Sequence, residues 1–348
     1  MTMTMSDFRL AAEWERQKGV MLALPHGGTD WAYMLPSVHA CYVDILRALV
    51  KHDSNPCLLV PSVSYASRVL PHDLIESIAI VEAEYNDTWI RDYGPLTLRS
   101  AKSGELRLAD FGFNGWGLKF AADKDNLVVN RLFGPGSSGY PANGYRNCLG
   151  YVLEGGSVET DGEGTLLTTA RCLCSPNRNG GLNKAEVEKV LSETLGINRF
   201  LWLDFGALDG DDTDSHIDTL ARMCPSDTIL YVGCTDEQDE HFMELERMKS
   251  QLMSLRTSGG LPFNLIELPL PEAIHDPEDG HRLPATYANY LVTDHAVLVP
   301  VYNQPRLDDL ACKLIQVAYP DRSIEPVDCR ALIRQHGSLH CATMQLNI

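Results

Sequence analysis

The chain has 348 residues, of which 44% are hydrophobic and 22% charged, and its formal net charge at pH 7 is −18. This composition is typical of a globular protein with an extensive buried core. The acidic balance argues against nucleic acid or an anionic membrane surface as a partner, and it is compatible with a cationic small molecule. No Pro/Ser-rich or low-complexity segment divides the chain, so we predict one domain over residues 1–348.

The N-terminal stretch MTMTMSDFRLAAEWE lacks the basic region and the long apolar run of a signal peptide. No segment approaches the length of a membrane span. The ten cysteines include no C-x-x-C pair, so a zinc ribbon or a thioredoxin-like site has no support. We therefore expect a cytoplasmic protein with reduced, buried thiols.

Hydrophobic periodicity predicts helices and short strands mixed along the whole chain. Helical patterns occupy 38–50, 124–133, 183–195, 237–255 and 307–318. Strand-like runs occupy 57–61, 78–83, 96–100, 164–170, 200–203, 228–233, 264–268, 289–294 and 296–302. Asn183 and Gly196 are suited to begin and end the third helix, and DGEG (161–164) predicts a turn between antiparallel strands. More than one strand per helix favours an α/β or α+β fold, and the five helices would suit five similar units.

The first polar segment is YNDTWIRDYGP at 85–95. It brings Asp87, Arg91 and Asp92 together before a Gly-Pro break. One interpretation is a strand-to-loop exit in which Asp87 is a cap and Arg91 pairs with a carboxylate. The other is a functional loop. The residues alone leave both interpretations open.

The second polar segment is YVLEGGSVETDGEGT at 151–165, where an apolar run leads directly into Glu154 and two glycines. A carboxylate in this position must be partnered or solvated. Gly155 and Gly156 permit close approach of the backbone to a neighbour or a ligand. A β-bulge before a hairpin explains the pattern equally well.

The third segment, GDDTDSHIDTLARM at 210–223, is the richest in acidic residues. His216 and Asp218 alternate, so in a strand they would face the same side and form an acid/base pair. The aspartates also resemble a metal site, but the spacing of an EF-hand is absent. A site with two histidines and one carboxylate would need a second histidine from elsewhere.

The chain ends in HGSLHCATMQLNI, and LHCATMQL (339–346) alternates as a strand does. In a strand, Cys341 would share a face with Leu339 and Thr343, while His340 would point the other way. A lone cysteine in an apolar strand is most often a small buried hydrophobe. A distant histidine and carboxylate would instead make it a thiol nucleophile.

Three candidate acids distinguish this set from an acyl-transfer thiol enzyme, which needs one base, one orienting group and an oxyanion hole. Asp92, Glu154 and Asp218 together suit a planar cation with many N–H donors. Guanidinium has this chemistry, because carboxylates bind it through paired N–H···O hydrogen bonds.

These segments resemble those of the agmatine deiminases (agmatine iminohydrolases), which belong to the pentein superfamily of guanidine-modifying enzymes. The resemblance is to the bacterial type found in Helicobacter and Campylobacter relatives. The matching stretches are AEWE (12–15), NDTWIRDYGP (86–95), DFGFNGWGLK (110–119), YVLEGGS (151–157), GDDTDSHIDTLAR (210–222), RLPATYANY (282–290) and QHGSLHCATMQL (335–346). The resemblance implies an α/β fold, a five-bladed α/β-propeller of ββαβ units with pseudo-fivefold symmetry. It also implies hydrolysis of agmatine to N-carbamoylputrescine and ammonia in putrescine biosynthesis, with no cofactor and no metal, and it is compatible with a homodimer.

The resemblance also implies a role for each motif residue. Asp92 and Asp218 would clamp the guanidinium, and Glu154 would bind it and orient His216. His216 would be the acid/base and Cys341 the nucleophile. The residues expected along the alkyl chain of the substrate are Trp89 and Trp116. The chain departs from the family pattern in two places, with HGSLHC for GGGNIHC and DTDSH for DTNGH.

The implied mechanism begins with attack of the Cys341 thiolate on the guanidinium carbon. His216 protonates the departing ammonia and then activates water to release the ureido product. Because carboxylates raise the pKa of a nearby thiol and a cation lowers it, we predict that Cys341 is protonated in the free enzyme and activated by substrate. Removal of residues 341–348 should abolish activity.

Three alternatives stay open. The first is a deiminase of arginine or peptidyl-arginine, for which Arg178 and Arg222 are candidate partners of the substrate carboxylate. The second is a metal-dependent hydrolase that uses His216, Asp218 and His340. The third is a non-catalytic pentein-like binding protein.

Overall fold

The computed structural model describes residues 7–137 and 144–347, and these form a mixed α/β fold. The strands are β1 (Phe8–Leu10), β2 (Gly19–Ala23), β3 (Pro56–Val60), β4 (Ala79–Glu82), β5 (Leu96–Ser100), β6 (Leu106–Gly112), β7 (Tyr145–Val152), β8 (Glu159–Thr160), β9 (Thr165–Thr169), β10 (Arg199–Leu203), β11 (Ala221–Cys224), β12 (Thr228–Gly233), β13 (Asn264–Pro269), β14 (Leu291–Val292), β15 (Ala296–Val301), β16 (Ser323–Asp328) and β17 (Met344–Leu346). The helices are α1 (Leu35–Lys51), α2 (Val63–Val69), α3 (His72–Ser77), α4 (Ile90–Tyr93), α5 (Gly115–Leu118), α6 (Val128–Phe133), α7 (Ala170–Leu173), α8 (Pro176–Asn179), α9 (Lys184–Leu195), α10 (Phe242–Ser254) and α11 (Pro305–Ala318).

Within the described residues the strands form five sheets that share one pairing pattern. In each sheet a central strand pairs antiparallel on one side and parallel on the other. The triplets are β17-β2-β3, β5-β6-β7, β8-β9-β10, β11-β12-β13 and β14-β15-β16. Two sheets gain a fourth strand, β4 beside β3 and β1 beside β5.

The five helices predicted from periodicity are confirmed as the crossovers of these sheets. Two neighbouring parallel strands need a long connection between them. In the five sheets this connection contains α1, α6, α9, α10 and α11, in chain order. α9 begins with a capping box between Asn183 and Glu186, and it ends at Gly196 with φ 70°. The turn at 161–164 does join antiparallel strands, β8 and β9.

The predicted strand over 339–346 is wrong for most of its length, because only Met344–Leu346 is a strand. Residues 339–343 form turns instead, with hydrogen bonds from the backbone N–H of Thr343 to His340 O and from Ala342 to Ser338 O. The Thr343 hydroxyl also donates to the His340 carbonyl. β17 then pairs antiparallel with β2, so the last strand completes the sheet that begins near the start of the chain.

His216 and Asp218 do not lie in a strand, so the strand geometry that would have placed them on one face does not apply. His216 precedes a 3-10 turn, Ile217–Thr219. The Thr213 hydroxyl oxygen accepts from His216 N, and the Thr219 hydroxyl donates to His216 O. These local side-chain hydrogen bonds favour a turn over a strand.

The long helices pack their apolar faces against the sheets. The buried face of α1 includes Ile45, Leu46 and Leu49, and both α1 and α11 pack against β16. No helix in the described ranges has the length and apolar character needed to cross a membrane.

Candidate active site

One pocket opens onto the turn that carries Cys341. Its lining includes Asp92 and Cys341, which are far apart in the chain and are both buried. The complete lining is Asp30, Asp87, Trp89, Asp92, Trp116, Phe120, Asp212, Thr213, Gln335, His336, Gly337 and Cys341. The two tryptophans expected along the substrate therefore both line the pocket.

The Cys341 thiol is 5% exposed and is held by an amide that the sequence analysis missed. Asn289 Nδ2 lies 3.3 Å from Cys341 Sγ, and Asn289 Oδ1 accepts from His340 N at 3.0 Å. Asp218 Oδ2 lies 3.8 Å from the same sulfur. Asn289 belongs to the matching stretch 282–290, but the sequence analysis assigned it only to a strand. The signal in the sequence that could have identified Asn289 was its polar side chain at the start of the apolar run 289–294.

The predicted direction of the thiol pKa is confirmed for the free protein. Burial raises the pKa of Cys341 well above its ordinary value, and the carboxylates of Asp218 and Asp92 raise it further. Burial therefore has the largest effect on this pKa, whereas the sequence argument considered only the acids.

His216 is fully buried and faces two of the predicted carboxylates. Its Nε2 lies 2.8 Å from Glu154 Oε2, and its Nδ1 lies 3.6 Å from Asp92 Oδ1 with no hydrogen-bond partner. Burial opposes a charge on the ring, but Asp92, Cys172 and Glu154 together raise the pKa of His216 well above its ordinary value. His216 can therefore hold a proton at neutral pH, with Nδ1 as its unpaired nitrogen.

Glu154 bridges His216 and an arginine. Arg178 Nε lies 2.9 Å from both oxygens of Glu154, and its Nη1 lies 2.6 Å from Asp214 Oδ2. Burial alone would raise the pKa of Glu154, but the hydrogen bond from His216 and the charges of His216 and Arg178 lower it. Glu154 is therefore a fixed anion behind the histidine.

The two arginines considered as partners of a substrate carboxylate are used elsewhere. Arg178 is bonded to Glu154, Asp214 and the Thr213 carbonyl, and it does not line the pocket. Arg222 is 1% exposed and bonded to two further buried acids, Glu13 and Glu159. That interpretation of both arginines is wrong, because each is already neutralised in the interior.

Asp92 is held by one indole and one backbone N–H. Trp116 Nε1 donates to Asp92 Oδ2 at 2.9 Å, and Gly156 N donates to Oδ1 at 2.9 Å. Burial and the nearby acids, offset in part by His216, raise the pKa of Asp92 to about 6. Trp116 lies in the left-handed turn Gly115–Leu118, in which all four residues have positive φ. Such a turn costs roughly 1–2 kcal/mol per non-glycine residue and directs the indole into the site.

Gly156 leaves no room for a side chain beside the reacting groups. A Cβ added there would lie 2.7 Å from His216 Nδ1, 2.9 Å from Asp92 Oδ1 and 3.0 Å from Asp218 Oδ2. We expect Gly156→Ala to lower kcat/KM by about 100-fold or more, because displaced reacting groups lose their alignment. Steady-state ammonia release measures this loss. Gly150→Ala is the control, since a Cβ at Gly150 meets nothing within 4 Å, and equal activity of both variants would contradict the prediction.

The prediction that His340 points away from the site is wrong. His340 Nδ1 lies 2.7 Å from Asp218 Oδ2, and its Nε2 lies 2.7 Å from Glu13 Oε2. The prediction failed because it assumed strand alternation, whereas the backbone turns at this position. Asp218 is consequently anchored by the residue adjacent to Cys341.

The described residues do not support a metal site made of His216, Asp218 and His340. The buried trios whose ligand atoms lie within 4.8 Å of one another are Glu154, Cys172, His216 and Glu13, Glu159, His340. Each trio already contains a carboxylate paired with an arginine, Arg178 or Arg222. A second cation there would face a positive charge.

The acidic mouth of the pocket consists of the exposed Asp30, the half-buried Asp212 and, further in, the buried Asp87. The described lining contains no lysine or arginine. Burial, with the charges of Asp30 and Asp212, raises the pKa of Asp87 to about 7. His336 also lines the mouth, with φ 67°, and its Nδ1 donates to Gly210 O at 2.8 Å. The site therefore has acids at its base and at its entrance.

The sequence profile of the family described as Porphyromonas-type peptidyl-arginine deiminase matches residues 9–346. A Photobacterium profundum protein named "Putative agmatine deiminase" is 31% identical, over 97% of this chain and 96% of its own. The "Putative Arginine Deiminase" structure from Porphyromonas gingivalis is 46% identical with TM-score 0.88, covering 98% of each chain. A Cys-to-Ser form of C. jejuni agmatine deiminase with substrate bound is 35% identical with TM-score 0.88, covering 98% of this chain and 96% of its own.

Proposed function

The chain belongs to the Porphyromonas-type peptidyl-arginine deiminase family, and we propose that within this family it is an agmatine deiminase. It would hydrolyse the guanidinium group of agmatine to give N-carbamoylputrescine and ammonia, in putrescine biosynthesis. Family coverage of 9–346 supports a single domain, and the five similarly paired sheets support a five-bladed propeller. The described cysteines are unpaired, which supports a reducing, cytoplasmic location.

One observation carries this proposal: two buried carboxylates without an arginine or lysine partner among the described residues share a site with a buried thiol. Asp218 Oδ2 lies 3.8 Å from Cys341 Sγ, and Asp92 lines the same pocket as Cys341. Glu154, in contrast, is already paired with Arg178. A buried carboxylate needs a partner that compensates its charge. A guanidinium supplies the positive charge and the N–H donors that paired carboxylates accept.

The acidic mouth supports agmatine over arginine. Both substrates have a guanidinium at one end, but agmatine ends in an ammonium group and arginine adds a carboxylate. Asp30, Asp87 and Asp212 would attract the ammonium and repel the carboxylate. The 46% identity to the "Putative Arginine Deiminase" of P. gingivalis keeps arginine as the second candidate.

In the proposed reaction the bound cation lowers the pKa of Cys341, and the thiol proton passes to solvent. The Cys341 thiolate then attacks the guanidinium carbon, which is polarised between Asp92 and Asp218. The proton on His216 Nδ1, the nitrogen without a partner, passes to the leaving nitrogen, and ammonia departs. A thiouronium bonded to Sγ, with the alkyl chain retained, is left. Neutral His216 then removes a proton from water as it attacks this carbon. The C–S bond then breaks as the hydroxyl proton on this carbon passes to solvent, which releases the ureido product and the thiolate, and His216 keeps the proton that it took from water.

The proposed function is tested by following both products. Purified protein with agmatine should release one ammonia for each ureido product formed. The Cys341→Ser protein should release neither product at a comparable rate, and a metal chelator should leave the reaction of the unaltered protein unchanged. Activity that a chelator abolishes, or no ammonia release from agmatine, would contradict the proposal.

We expect the KM for agmatine to rise as the pH falls from about 8 to about 5.5. The pKa values of Asp87, about 7, and Asp92, about 6, are raised, so both groups lose their negative charge as the pH falls through this range. A neutral carboxyl attracts a cation less than a carboxylate does. Steady-state KM measured across this pH range tests the prediction. In the Asp87→Asn variant, KM should change less with pH near pH 7 than it does in the unaltered protein. A KM that stays constant to pH 5.5 would contradict it.

A further inference from the structure

Asp218 differs from the other two carboxylates in how it is held. Glu154 is paired with Arg178, and Asp92 accepts from an indole and a backbone N–H. Asp218 Oδ2 accepts a hydrogen bond from His340 Nδ1 at 2.7 Å. The other oxygen, Oδ1, is buried and has no hydrogen-bond partner.

His340 lies between two buried carboxylates. Its Nε2 is 2.7 Å from Glu13 Oε2, so both ring nitrogens face an acid, and the residue is 2% exposed. Because a carboxylate accepts, Nδ1 is the nitrogen of the ring that donates to Asp218. The ring therefore connects the Asp218 carboxylate to the buried acid behind it.

Both ends of this arrangement are fixed. Arg222 Nη2 donates to Glu13 Oε2 at 2.6 Å and lies 3.1 Å from His340 Nε2. Val292 N donates to Glu13 Oε1 at 2.7 Å. The backbone of His340 is held as well, because its N–H donates to Asn289 Oδ1 at 3.0 Å. The ring therefore has little freedom to leave Asp218.

We propose that His340 is a positioning residue that connects Glu13 to Asp218 and leaves Asp218 Oδ1 as the oxygen that accepts a guanidinium N–H. The proposal rests on the proposed function, because it assigns Asp218 a guanidinium ligand. Burial alone would raise the pKa of Asp218, but the hydrogen bond and charge of His340 lower it. The carboxylate thus stays ionised in the empty pocket.

The test uses Cys341→Ser protein, in which binding is measured without turnover. In this background His340→Asn should weaken agmatine binding by about tenfold or more, the effect of disturbing one hydrogen bond to a charged group. Binding of 1,4-diaminobutane, which has no guanidinium, should change by less than about twofold. Titration calorimetry gives both affinities. A general loss of pocket structure would weaken both ligands alike.

Two further variants complete the test. Glu13→Gln should also weaken agmatine binding, but by a smaller factor than His340→Asn. If His340→Asn does not fold, Glu13→Gln replaces it in the test, and a larger loss for agmatine than for 1,4-diaminobutane is again the expected result. His52→Asn is the control, since His52 also bonds a carboxylate, Glu325 at 3.0 Å, and does not line the pocket.

Unchanged agmatine affinity in folded His340→Asn, or equal losses for both ligands, would overturn the positioning role. Failure of the Cys341→Ser parent to bind agmatine would instead refute the proposed function.

Discussion

Replacing Cys341 with serine should lower agmatine turnover by about 10⁴-fold or more and leave agmatine binding within a few-fold of its original affinity. The sulfur lies between Asn289 and Asp218, at 3.3 Å and 3.8 Å. A serine hydroxyl fits the same space, but it is a much weaker nucleophile than a thiolate. Binding persists because Asp92, Glu154 and Asp218 are unchanged. Rates of ammonia release and calorimetric titration separate the two effects.

The matched control for this variant is Cys234→Ser. Cys234 is also buried, at 4% exposure, and its sulfur contacts the Asp236 carbonyl away from the pocket. Its variant should retain the original turnover. A Cys341→Ser protein with undiminished turnover would remove the thiol from the mechanism.

His216→Asn should lower kcat by about 10²- to 10⁴-fold, the range that a general acid/base contributes. The variant loses the proton that leaves with ammonia and the base that activates water. Asparagine retains one donor toward Glu154, so the change affects proton transfer more than packing. kcat from saturating agmatine measures the loss, and a variant with near-normal kcat would contradict the assignment.

The pH profile of the unaltered protein tests the same histidine independently. Because the pKa of His216 is raised, its acid form persists through the range in which an ordinary histidine, with a pKa of about 6.5, deprotonates. We therefore expect kcat to stay flat between about pH 6 and about pH 7.5. A kcat that falls steeply as the pH rises through 6.5 would mean that the ring is not held in its charged form.

Local patterns were sufficient for the scaffold of this protein. The five crossover helices were predicted because each has an apolar face that repeats along consecutive residues, as in α9 with its own capping box. The convergence of Asp92, Glu154, His216, Asp218 and Cys341 was expected only from the family resemblance, since periodicity cannot bring distant segments together.

What the sequence analysis missed depends on contacts between distant residues. The turn at 339–343 is fixed partly by Asn289, which lies 52 residues before Cys341. Apolar alternation in this segment is equally compatible with a strand, so His340 was assigned to the wrong side. The buried pairing of Arg178 with Glu154 likewise joins two separate segments. Ion pairs of this kind leave no periodic signal in the chain.

The acidic mouth leads to the sharpest claim, which is preference for a substrate that ends in an ammonium group. The direct measurement is kcat/KM for agmatine, free arginine and a peptidyl-arginine in one ammonia-release assay, with Cys341→Ser as the blank. Because a carboxylate among Asp30, Asp87 and Asp212 would be repelled, we predict that agmatine is preferred over arginine by about 100-fold or more. Equal or greater kcat/KM for arginine or the peptide would contradict the account.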